Sequence, residues 1–140
     1  MAISDDLQDI ALFRSSQFTP FLPDECQANP GVYGAELAYW LARELAQRKL
    51  VTSYPLAEDW GWLLSYETSS GDEFSLHCGN EEGSTNKWLI SLRRHARGLF
   101  GRDKPAFAEA VLLVEGIRAV LLSSAAIAEL EWLAGQSGQR

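Results

Sequence analysis

From Glu58 to Tyr66 the chain reads Glu-Asp-Trp-Gly-Trp-Leu-Leu-Ser-Tyr, placing Trp60, Trp62, Leu64 and Tyr66 at every second position. That is the period of a strand, not of a helix. Three aromatic rings on one strand face carry too much apolar area to leave in water. The pattern therefore predicts a central strand with Trp60 and Trp62 on the same side, buried under whatever helices form. A sheet with one covered face follows.

The flanking residues extend that sheet. Residues 50–56 are β-branched and aromatic enough for a strand, with Pro55 at its edge or end because it has no amide to donate. Ser69-Ser70-Gly71-Asp72 reads as a turn, after which Phe74, Leu76 and Cys78 alternate with Glu73, Ser75 and His77, predicting a hairpin. The polar residues 79–86 lead into Trp88, Ile90 and Leu92, again at period two. The Ala-rich stretch 124–134 has high helix propensity, yet Ala128, Leu130 and Trp132 alternate with Glu129 and Glu131, so a short closing strand is expected there.

Helical signals come in three places. Asn29-Pro30 combines a cap with a first-turn proline, and Leu37, Trp40, Leu41 and Leu45 then share one face, predicting a helix over 30–48. Asp103 and Pro105 repeat the signal and open an apolar, mostly buried helix over 106–122. Ser4, with Asp5 and Asp6 behind it and Leu7, Ile10 and Ala11 on one helical face, predicts a short first helix. Residues 15–30 read as an ordered loop anchored by Phe18, Phe21 and Leu22. The sum is an α+β two-layer sandwich: a four- to five-stranded antiparallel meander, two main helices on one face, and the other face left for a partner. At 140 residues it should form one domain, with 1–29 as an N-terminal helix-and-loop segment and 135–140 as a loose tail.

The Glu-Asp-Trp-Gly-Trp element also occurs with Tyr33-Gly34, Cys78-Gly79-Asn80, Trp88, Leu99-Phe100-Gly101-Arg102 and Leu130-Glu131-Trp132. In these motifs, over about residues 30 to 132, the chain resembles a family of small uncharacterised bacterial proteins. The resemblance implies this architecture, including the closing strand at 127–132. It carries over no functional residue.

The formal charge of −7 repels phosphate backbones and anionic lipid headgroups, which disfavours nucleic acid and membrane surfaces and suits a basic protein partner. Glu109, Glu115 and Arg118 interrupt the richest apolar stretch before it reaches bilayer length. The first residues lack the basic start and apolar run of a signal peptide, so a cytoplasmic protein with Cys26 and Cys78 as free thiols is expected.

No catalytic signature stands out. His77 and Cys78 are the pair found in thiolate catalysis, but strand neighbours point to opposite faces, and Cys78 shares its face with Phe74 and Leu76. Cys26, His77, Cys78 and His95 lack zinc spacing, so no metal is expected, nor any cofactor. Glu58 with Asp59, and Glu81 with Glu82, are adjacent carboxylates, an acid/base pair or a cation site if they act chemically and otherwise solvated turn residues or an acidic binding surface. Residues 93–104 form a basic connection around Leu99-Phe100, which either plugs the core or contacts a partner. The leading expectation is a non-enzymatic protein-binding domain of the immunity or antitoxin kind, masking a basic partner with Glu58, Asp59, Glu81 and Glu82. The competing one is a small enzyme or ligand-binding domain using Cys78, His77 or the Glu58/Asp59 corner. Oligomeric state, a homodimer included, is left open.

Overall fold

The alternating runs of Phe74, Leu76 and Cys78 and of Trp88, Ile90 and Leu92 become neighbouring strands in a computed structural model, which describes residues 6–20, 23–27, 29–81, 83–95 and 105–134. In chain order the elements are β1 (Leu7–Arg14), α1 (Ala35–Gln47), β2 (Leu56–Glu58), β3 (Gly61–Glu67), β4 (Glu73–Asn80), β5 (Lys87–Arg94), α2 (Val111–Ser123) and β6 (Ala128–Trp132). Single 3-10 turns occupy Asp24–Cys26 and Phe107–Ala110. The strands form one open antiparallel sheet in the order β2-β3-β4-β5-β1-β6. The fold is therefore α+β with both helices on one face, and among the described residues it has six strands rather than four or five. β2 to β5 run as a meander, and β1 slots between β5 and β6.

The core lies between the layers. Leu64, Leu76, Cys78, Ile90 and Leu92 meet Leu37, Leu41 and Leu45 of α1 and Leu113, Ile117 and Leu121 of α2, all buried. Each such side chain is worth about 1.5–3 kcal/mol of apolar burial. α1 lies against β3 and β4, and Arg118 of α2 reaches the Trp132 ring of β6, 5.8 Å from its centroid. The second helix is less buried than its composition implies, because Val111, Leu112 and Leu122 face solvent.

Four expectations are corrected. Residues 7–14 are a strand, not a helix. A bulge between Asp9 and Ala11 makes both Ile10 and Ala11 fully buried, so the spacing of Leu7, Ile10 and Ala11 imitates a helical face. Secondly, α1 starts at Ala35, because Asn29 closes a small turn: it bridges to Val32, and its Nδ2 donates to the Asp59 carbonyl at 2.8 Å. Thirdly, residues 50–56 are not a strand; β2 begins only at Leu56, after Pro55.

The fourth correction concerns Trp60. Glu58 pairs with Gly61, which leaves Asp59-Trp60 as a two-residue hairpin turn and splits the expected strand over 58–66 into β2 and β3. Trp62 turns toward the helices. Trp60 stays on the uncovered face, stacked on the His77 ring with 4.1 Å between centroids and 10° between planes. Phe18 is buried as expected, 5.0 Å from the Trp40 ring. Phe21, Leu22 and residues 96–104 lie outside the described residues.

The chain leading into α1 meets the sheet backbone closely at the Cys78 carbonyl. Gly34 and Gly61 have φ of 145° and 151°, where L side chains are strained, and a Cβ on them would stand 2.6 and 2.7 Å from the Cys78 carbonyl oxygen. Asn80 closes the same junction: its Nδ2 donates to the Gly31 and Ser84 carbonyls at 2.9 Å each, and its Oδ1 accepts the Tyr33 amide at 3.0 Å. Gly34→Ala and Gly61→Ala should each lower stability by at least about 1–3 kcal/mol from backbone strain alone. Urea unfolding of the double variant should show a smaller loss than the sum, because both substitutions push the same carbonyl. Additive losses would separate the two contacts.

Candidate functional site

The residues named for catalysis are kept apart. Cys78 is 0% exposed on the helix face, and burial pushes its thiol up to about 12, away from the thiolate that nucleophilic chemistry needs. His77 is on the other face. Burial first, then the positive charges of Arg93 and His95, push it down to about 4, so at neutral pH it is an uncharged ring packed on Trp60. His77, Ser91 and Asp9 form a row across β4, β5 and β1, but the Ser91 hydroxyl donates to Asp9 Oδ1 at 2.7 Å and not to His77. His77 is thus not placed to relay the Ser91 proton. No group of three or more metal-binding side chains converges among the described residues.

The carboxylates are on the surface. Glu58 ends β2 and Asp59 begins the turn after it, both exposed. Glu81 is also exposed, just after β4 at the same end of the sheet, and its amide donates to the Lys87 carbonyl at 3.0 Å. Glu82 lies outside the described residues. Around Glu81 the charges are mixed, since the neighbouring groove holds Arg14, Lys87, Glu129 and Glu131, with Arg14 and Glu129 paired at 3.0 Å. Glu58 and Asp59 have a different setting.

The segment of chain that leads to them and through them is apolar and aromatic. Val51, Tyr54, Leu56 and Trp60 all point large side chains into water within ten residues of chain, Val51 at 71% and Tyr54 at 84% exposure. Tyr39 of α1 faces the same segment across a groove of ≈ 520 Å³ lined also by Ala42, Ala46 and Pro55. A second groove of ≈ 380 Å³ shares Tyr39 and Arg43 and runs on to Phe18, Trp40 and Glu36, where Glu36 Oε1 is buried without a hydrogen-bond partner. β2 itself is the outermost strand and exposed throughout. Among the described residues no strand pairs with its outer edge.

Sequence reasoning picked out Glu58 and Asp59 but missed Tyr39, Val51 and Tyr54. Tyr54-Pro55 was the available signal, since a bulky residue before a proline leaves regular pairing. Trp60 was assigned to the core because the turn at Asp59-Trp60 preserves the two-residue spacing while changing the face. Compared with family models, with curated proteins and with solved structures, the chain matches none.

Two outcomes follow. Under native conditions a thiol reagent should modify exposed Cys26 quickly and Cys78 only at the rate of unfolding, as mass spectrometry of the labelled chain would report. Fast double labelling would contradict the buried thiol. The unfolded chain takes up a proton on His77 near 6.5 that the native state refuses until about 4. His77 therefore contributes stability above pH 6.5 that is lost as pH falls from 6.5 toward 4. Urea midpoints of His77→Gln should show a flatter pH dependence across that window than the wild type.

Proposed function

We propose that this protein is a non-enzymatic binding domain that holds a cationic protein against its β2 edge. The observation that carries the reading is the run of exposed Val51, Tyr54, Leu56 and Trp60 along the same segment of chain as exposed Glu58 and Asp59, with Tyr39 across a groove from Tyr54. Exposed apolar area of this kind is costly in water unless something covers it. Tyr and Trp are also the side chains on which binding energy concentrates at interfaces. The two carboxylates fit Lys or Arg side chains on the partner, and the net charge of −7 would steer such a partner from a distance. An open edge strand adds main-chain pairing.

This reading favours a cytoplasmic protein of the immunity or antitoxin kind, which masks a basic toxin, over an enzyme. Burial of Cys78 on the face away from His77 supports the same choice. The likeness to small bacterial proteins with the Glu-Asp-Trp-Gly-Trp element is compatible with it and adds no residue.

The test is capture of the partner from the native host, followed by binding kinetics. Tyr54→Ala and Trp60→Ala should each speed dissociation by about 30-fold or more, the scale of a 2 kcal/mol hot spot. Glu58→Lys with Asp59→Lys should slow association, most at low salt, while leaving the thermal midpoint nearly unchanged. An RNA or acidic partner, or binding indifferent to both sets, would refute the reading.

A further inference from the structure

Apart from Tyr39, the groove of ≈ 380 Å³ along α1 has no part in the β2-edge reading, and its lining carries charge of both signs. Glu36, Tyr39, Trp40 and Arg43 recur at helical spacing, so they share one stripe of α1. Phe18, from the chain after β1, and Trp40 are nearly buried, with 5.0 Å between ring centroids, and give the groove an apolar floor. Exposed Tyr39 adds a third ring.

The two charges in this groove are not satisfied by the protein. Glu36 Oε1 is buried with no hydrogen-bond partner, and neither Glu36 nor Arg43 forms an ion pair with a described residue, each other included. A buried carboxylate oxygen that receives no donor is costly. Two turns of helix, about 10 Å along the axis, separate the two backbones. Both residues nevertheless line the one groove, with the rings alongside. The complement of such a surface is a molecule with an ammonium at one end, a carboxylate at the other and an apolar stem between them.

We propose that this groove binds the C-terminal lysine of a peptide chain, with its ammonium on Glu36, its stem along Phe18, Tyr39 and Trp40, and its terminal carboxylate on Arg43. An ammonium brings the donors that Glu36 Oε1 lacks and is attracted to the faces of aromatic rings. A guanidinium presents a planar fork that matches both oxygens of a carboxylate. Lysine readily lays its stem on apolar surface, and a four-carbon stem with a hydrogen bond at each end is of the length required. The α-nitrogen of the ligand falls beside its carboxylate, next to Arg43, and no second carboxylate lines the groove to receive a positive charge there. An acylated α-nitrogen, as in a peptide, therefore fits where that of the free amino acid does not. Glu36, Phe18, Trp40 and Arg43 carry this site, so it and the β2-edge reading can fail separately.

The experiment titrates Nα-acetyl-lysine into the full chain and follows binding by calorimetry and by the ring signals of Tyr39 and Trp40. Saturable binding that shifts both rings is the expected result. Nα-acetyl-lysine amide, which lacks the carboxylate, and Nα-acetyl-norleucine, which lacks the ammonium, should each bind at least about tenfold more weakly, the scale of a lost hydrogen bond to a charged group. Glu36→Gln and Arg43→Gln should each weaken Nα-acetyl-lysine by a similar factor, with the thermal midpoint reporting that both variants are folded. Because the probes act on the isolated chain, their failure would leave capture of a partner at the β2 edge untouched. No saturable binding of Nα-acetyl-lysine, equal binding of either control probe, tighter binding of free lysine, or undiminished binding by folded Glu36→Gln or Arg43→Gln would overturn the proposal.

Discussion

The carbonyl of Cys78 is the contact on which the arrangement of both layers depends. Gly34, at the mouth of α1, and Gly61, at the start of β3, press on it from backbone conformations that tolerate no Cβ. Asn80, two residues on, gathers Gly31, Tyr33 and Ser84 with one amide side chain. Both heteroatoms of that amide are used. Because Gly61 is held there, the chain reverses just before it, Trp62 faces the helices, and Trp60 is delivered to the uncovered face. The junction is wholly structural, yet it decides which tryptophan a partner could meet.

Elements whose face is set by simple alternation were legible. β4, β5 and β6 stand where Phe74/Leu76/Cys78, Trp88/Ile90/Leu92 and Leu130/Trp132 place them, and the core of α1 follows from its apolar stripe, whereas α2 buries Leu113, Ile117, Val120 and Leu121 and leaves Val111 exposed. What failed had a local signal with two readings. Asn29-Pro30 serves a tight turn as well as a helix start, and only the bond from Asn29 to the Asp59 carbonyl selects the turn. The bulge at Ile10 gave a strand the spacing of a helix. At Trp60 the spacing survived a chain reversal. The site was half visible for a related reason: Glu58 and Asp59 advertise themselves by charge, whereas the exposure of Tyr39, Val51 and Tyr54 depends on which elements come to rest above them. Composition holds no record of that.

The uncovered face and the β2 edge divide the charge unevenly. An acidic total coexists with Arg93, His77 and His95 gathered on the sheet and Glu58 and Asp59 at its tip. Beyond about 10 Å at 0.1 M salt exposed charges are largely screened, so at contact the local groups decide. Trp60, in the turn beside Asp59, stacks one ring face on His77.

The position of β1 has a consequence for how the chain reaches its fold. Its neighbours are β5 and β6, so Ile10, Ala11 and Phe13 leave the ribosome long before either strand that will cover their flanks exists. Pairings of such long separation are slow to form and leave apolar strands open to wrong partners meanwhile. The meander from β2 to β5 closes from contacts near in sequence. It can be complete while the first strand still waits, and the sheet is then sealed from both ends of the chain at once, at the Arg14–Glu129 ion pair.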